Sequence, residues 1–111
     1  LTRLKVLIME AEELKEKVMA VLHEIYDPEI PVDIYELGLV YEVEVLPINN
    51  VQIVMTLTAP SCPSAQELPI EVEDKVRAIE GVNEVSVAVV WDPPWDRSMM
   101  SEVAMLELGF M

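Results

Sequence analysis

Cysteine occurs once in the 111 residues, glycine three times, and aromatic residues make up only 5%. A single cysteine excludes an intrachain disulfide and any all-cysteine metal site within one chain. So few glycines leave no Gly-rich phosphate-binding loop. Cations are scarce too: Lys plus Arg is 7 against 21 for Asp plus Glu, a formal net charge of -14. Nucleic-acid binding needs clustered cations along the phosphates, so it is excluded as a main activity. Attachment to an anionic membrane surface is disfavoured for the same reason. No apolar run approaches the roughly 18 residues of a membrane span. The acidic stretches do not have the ligand spacing of a calcium loop.

Apolar residues are abundant, at 52%. That is too many for a disordered chain, and the length suits one domain with a core of its own. The expectation is a single domain over residues 1–111, with 1–9 an extension and 10–110 the body. Arg3 and Lys5 precede a short apolar stretch. The stretch is too short for a secretory signal, and Glu10, Glu12 and Glu13 follow at once. These residues are expected to extend the first helix or to precede the natural start at Met9.

Leu14, Val18, Val21, Leu22 and Ile25 draw one apolar stripe, which predicts an amphipathic helix over 10–25 ending near Asp27, before Pro28. His23, the only histidine, is expected at the surface or boundary. Asp27-Pro28-Glu29-Ile30-Pro31 is a stiff loop, and Asp33 is placed to cap a turn through Leu37 closed by Gly38. Two alternating segments, Leu39–Val45 and Val51–Thr58, read as a hairpin joined by Pro47-Ile48-Asn49-Asn50. Leu68, Val72, Val76 and Ile79 mark a second helix to about Glu80. It starts either after Pro63, through a Ser64/Glu67 capping box, or with Pro69 as its first residue. A third strand is expected over Glu84–Trp91, with Trp91 on the core face and Trp95 covering a loop. Ser98 is expected to open a last helix packed through Met99, Val103 and Leu106, with Gly109 as its stop. The order is α-β-β-α-β-α, an α+β two-layer domain with helices on a small mixed or antiparallel sheet.

Cys62 is the first candidate for chemistry. It lies in Ser61-Cys62-Pro63, in a turn rather than on a core face, and ahead of a helix. A helix N-terminus favours an anion and lowers a thiol pKa, whereas the surrounding carboxylates oppose this. A thiolate there would attack electrophiles or bind soft metals. Asp27 and Glu29 are carboxylates held in a proline-stiffened loop. Thr58 closes the second strand shortly before Cys62, so its hydroxyl could approach the thiol or cap the turn.

Three segments together carry a resemblance: Asp27-Pro28-Glu29-Ile30-Pro31 with Glu36-Leu37-Gly38-Leu39-Val40, then Leu57-Thr58 with Ser61-Cys62-Pro63, then Trp91-Asp92-Pro93-Pro94-Trp95. In this order they resemble the metal–sulfur (iron–sulfur) cluster assembly factors, the SufT/PaaD-like proteins, over roughly residues 12–110. The resemblance implies an α+β fold and a cytoplasmic role in maturing iron–sulfur proteins. It implies that Cys62 is the functional residue, that Asp27 and Thr58 lie near it, and that Glu29 shares the loop motif. Related scaffold domains carry a cysteine pair in this loop, where this chain has Ala59. Cys62 alone would therefore bind iron or a cluster transiently, with no cofactor held tightly. A homodimer, a partner or a small thiol would supply further ligands.

Three functions follow as expectations. The first is a non-enzymatic assembly factor acting on iron–sulfur client or assembly proteins. The second is an enzyme with Cys62 as nucleophile, oriented by Asp27 or Thr58, and it lacks a nearby histidine base. The third is an interaction module presenting Met99, Met100, Met105 and Met111, with Cys62 incidental.

Overall fold

A computed structural model describes residues 2–27, 30–58 and 67–109, with backbone only through residue 10. Helix α1 is Thr2–Leu22. Its residues Leu14, Val18 and Leu22 repeat at helical spacing and are buried. The helix stops before the expected Asp27. Glu24 N donates to Val21 O at 2.9 Å and Ile25 N to Leu22 O at 3.3 Å, a tightening to i→i−3 bonds that closes the last turn. Ile25 still reaches the core, but from the loop.

The sheet has three strands, β1 (Val40–Leu46), β2 (Asn50–Met55) and β3 (Val85–Val89), side by side in that order. β1 and β2 are antiparallel from Leu46↔Asn50 to Val40↔Met55. A 3-10 turn at Pro47–Asn49 joins them, with Ile48 and Asn49 at φ 57° and 58°. β3 runs parallel to β2, from Val51↔Val85 to Met55↔Val89. Helix α2 (Glu67–Arg77) makes the crossover between them. Pro69 is its third residue, between the two expected starts. It sits in the first turn, where backbone N–H groups lack intrahelical partners, so the missing donor costs nothing. The Ser64 half of the capping box lies outside the described residues.

Val51, Ile53 and Met55 of β2 are buried against α1 and α2, whose Leu14, Val18, Leu22, Leu68, Val72 and Val76 complete the same core. On the opposite face Gln52 and Val54 are half-buried, and Glu42, Glu44 and Ser86 are exposed. The result is the two-layer α+β domain that the sequence predicts, with a mixed sheet. One departure is Thr56. Alternation puts it on the wet face, yet it is fully buried. Beyond Met55 the neighbour of β2 is the buried segment leading into β1, and Thr56 N donates to Leu39 O at 2.8 Å.

The C-terminal segment departs more. β3 ends at Val89, so its alternation does not reach Trp91, which is 46% exposed. Trp95 is the tryptophan that packs inward, half-buried, its Nε1 donating to Leu37 O at 2.8 Å. The expected roles of the two are reversed. Ser98 lies in a 3-10 turn, Arg97–Met99, capped by Asp96, and helix α3 (Glu102–Glu107) is capped by Ser101, whose Oγ accepts from Ala104 N at 3.1 Å. Met100 and Ala104 are buried, while Val103 and Leu106 are 56% and 62% exposed. The expected face is offset by one residue, which is about 100° around a helix. Met100 is core, and half-buried Met99 sets its Sδ 3.5 Å from Tyr41 Oη, so neither belongs to an open methionine surface. Met111 lies outside the described residues. No described helix is long and apolar enough to cross a membrane.

Candidate functional site

The topology gathers several loops at one end of the sheet. β2 and β3 are parallel and both finish there, and antiparallel β1 begins there. The segment from Ile25 to Leu39 closes over this end. Ile34 N donates to Ile25 O at 2.8 Å, Asp27 N to Val32 O at 3.4 Å, and Tyr26 pairs with Asp33 in an isolated antiparallel bridge. The loop is therefore folded back on itself and fixed at its base.

Asp27 sits in that loop, half-buried. Its Oδ1 accepts from Ile30 N, three residues on, at 3.2 Å, a local side-chain-to-backbone bond. α1 has already ended at Leu22, so Asp27 does not stop the helix as its position suggested. Thr58, also half-buried, lies just past the C-terminal end of β2, reached through buried Thr56 and Leu57. The Thr56–Leu39 bond links this stretch to the segment that follows the Asp27 loop. The segment that follows the Asp27 loop and the stretch that leads to Thr58 are thus joined at the end of the sheet where β2 finishes. Glu29 and Cys62 lie outside the described residues.

A second group at this end was not legible in the sequence. His23 Nδ1 lies 3.2 Å from Asp33 Oδ2 and 3.7 Å from Glu36 Oε1. Its ring leans on Tyr35, with centroids 4.5 Å apart and planes at 49°. The imidazole is 40% exposed, so its expected boundary position holds, but it is engaged by carboxylates. Asp33 serves twice. Its Oδ2 also accepts from Glu36 N at 3.1 Å, which caps the expected turn, and Leu37 N donates to Asp33 O at 3.0 Å. Gly38 closes that turn at φ +83°. His23 and Asp33 meet only because the intervening loop doubles back. Neither spacing nor composition announces this.

The C-terminal segment locks the arrangement from above. Tyr41 Oη donates to Pro93 O at 2.8 Å, Trp95 reaches Leu37 O, and Ser101 N donates to Glu36 O at 2.9 Å. Asp96 Oδ2 accepts from Ser98 Oγ at 2.5 Å and Ser98 N at 3.1 Å. These bonds to Ser98, its hydroxyl first, lower the Asp96 pKa below its ordinary 3.8. Among the described residues no three His, Cys, Asp or Glu side chains are grouped so as to hold a metal ion. Asp27, Asp33 and Glu36 are thus tied to backbone or to His23.

Comparison with known proteins places this architecture. Residues 15–89 match a family model described as iron-sulfur cluster assembly protein. The chain is 46% identical over 97 residues to an Fe-S protein maturation auxiliary factor of Porphyromonas gingivalis, covering 87% of this chain and 92% of that one. It is 38% identical over 85 residues to the Fe-S protein maturation auxiliary factor SufT of Staphylococcus aureus, covering 77% and 97%. A crystal structure of a domain of unknown function from Bacillus anthracis superposes with a TM-score of 0.85 at 40% identity, covering 94% of this chain and 99% of that one. The matched segment runs from α1 through β3 and includes the whole Asp27 loop and the β2–α2 connection, so the chain belongs to the iron–sulfur cluster assembly protein family.

Proposed function

We propose that this chain is a cytoplasmic maturation factor for iron–sulfur proteins, and that Cys62 is its working group. The observation that carries the reading is the bond from Thr56 N to Leu39 O, which joins the stretch leading to Thr58 with the segment after the Asp27 loop, inside the matched segment. Cys62 follows Thr58 by four positions in the connection that leaves this end.

The chemistry follows from the ligand count. A thiol that binds iron loses its proton and becomes a thiolate ligand. One cysteine per chain supplies one such bond. A cluster is normally held by four, so iron or a cluster here is cargo that leaves readily. A second copy, a client protein or a small thiol would complete the coordination during transfer. Asp27, held by its bond from Ile30 N, would supply a carboxylate from the neighbouring loop, and Glu29 is the second carboxylate of that sequence motif. An unpaired thiol stays reduced in a reducing compartment, which fits the cytoplasm. The nucleophilic-enzyme reading has less support. His23 is the one imidazole in the sequence, and its Nδ1 faces Asp33 and Glu36.

Anaerobic reconstitution with iron and sulfide tests the cargo step. The wild-type protein is expected to develop sulfur-to-iron charge-transfer absorption that a small chelator removes, and Cys62→Ser to develop none. Equal spectra for the two proteins would rule out cluster binding through Cys62.

A further inference from the structure

We propose that the face of the sheet opposite α1 and α2 is a docking surface for a basic amphipathic helix of a partner protein. Both long helices pack on the other face, and their buried side chains form one core with Val51, Ile53 and Met55. The register sets what the open face presents. Glu42, Val54 and Ala88 form one row, and Glu44, Gln52 and Ser86 the next. Val90 continues the alternation past the end of β3. Val54, Ala88 and Val90 are half-buried, so an apolar strip stays in contact with water along β2 and β3. Glu42 and Glu44 line its β1 side, both exposed.

The distribution of cations identifies the occupant. Residues 18–74 and 78–96 contain no Lys or Arg. All three strands and their connections fall in those intervals, apart from the end of α2. Of the seven cations, Arg3, Lys5, Lys15 and Lys17 are on α1 and Lys75 and Arg77 on α2, with Arg97 alone elsewhere. Lys75 and Arg77 are already paired with Glu71 and Glu73, at 2.8 and 2.6 Å. The open face therefore offers apolar contact bordered by carboxylates with no ion pair among the described residues. A second copy docked face to face would add another Glu42 and Glu44 to the interface and no cation from its sheet, which disfavours it. A partner with Lys or Arg flanking an apolar stripe satisfies both features. Three strands at about 4.8 Å spacing span about 10 Å, the width of one helix. Ala88, small and paired with Val54, adds little bulk to the face at that row. The inference rests on the face alone and does not depend on Cys62.

The test maps binding by amide chemical shifts in the full chain. The probe is a synthetic Leu/Lys amphipathic helix of about 15 residues, a length near the minimum for helicity in water. A Leu/Glu peptide with the same apolar stripe is the control. Shifts are expected at Glu42, Glu44, Gln52, Val54, Ser86 and Ala88, with none from the Leu/Glu peptide. Glu42→Lys with Glu44→Lys is expected to weaken binding about tenfold, as two reversed rim charges do. Ala88→Arg, which places a bulky cation on the face, should abolish binding. Glu42→Gln with Glu44→Gln is the milder variant, and the dispersion of the amide spectrum checks that each protein is folded. Shifts centred on α1 or α2, affinity unchanged in the variants, or self-association that fills the face would each overturn the proposal.

Discussion

Gly38→Ala separates two costs that are usually confounded. Gly38 has φ +83°, and an added Cβ would meet the Met99 carbonyl carbon at 2.8 Å and its oxygen closer still. Gly81 has φ +99° but nothing within 4 Å of the same added atom. Alanine at Gly81 should therefore cost only the left-handed backbone penalty, about 1–2 kcal/mol. Alanine at Gly38 carries that penalty and must also push the Met99 backbone away. Displacing this segment breaks the Ser101–Glu36 bond, worth about 0.5–1.5 kcal/mol. It also lifts Met100, now 7% exposed, out of the core, at about 1.5–3 kcal/mol. The expected total for Gly38→Ala is about 3–6 kcal/mol, and thermal or urea unfolding of both variants measures the difference. Trp95 fluorescence should shift to the red in Gly38→Ala alone, because its bond to Leu37 lies beside the displaced segment. Equal stability losses for the two variants would refute the close-approach argument.

The Thr56 hydroxyl is fully buried and has no hydrogen-bond partner among the described residues. Thr56→Val removes that unpaired group at nearly constant shape and is expected to raise stability by about 1 kcal/mol in denaturant unfolding. A clear loss would mean the hydroxyl is satisfied in solution. The Asp96 carboxylate has a lowered folded-state pKa because Ser98 hydrogen-bonds to its charged form. Its stabilising contribution is therefore present above about the ordinary 3.8 and fades as pH falls through the lower folded value. Asp96→Asn should melt slightly below wild type at neutral pH and level with it near pH 2. A gap that persists in acid would assign the effect to something other than the charge.

The two-layer plan was legible because its signals are periodic. Leu14, Val18 and Leu22 mark the buried side of α1, and Val51, Ile53 and Met55 that of β2, in the spacing of helix and strand. Asp33 and Gly38 announced the turn before β1 by residue type alone. Where the sequence reading failed, non-local contacts decide the outcome. Trp95 turns inward because Leu37 O is available to its Nε1, and Thr56 is buried because Leu39 lies beside it. The face of α3 was misassigned because Ser98 and Ser101 are equally good caps in isolation. Ser101 N is tied to Glu36 O, and Ser101 begins the helix. In the site, Asp27 and Thr58 were singled out from motif order. The His23–Asp33–Glu36 contact could not be, since it exists only after the loop between them has folded back.

The central claim is that maturation of iron–sulfur proteins depends on the Cys62 thiol. The direct measurement is the activity of cluster-dependent enzymes in cells lacking this chain, complemented with wild type or Cys62→Ser at matched levels of folded protein. The account predicts that wild type restores these activities and Cys62→Ser does not. Full restoration by Cys62→Ser would contradict it.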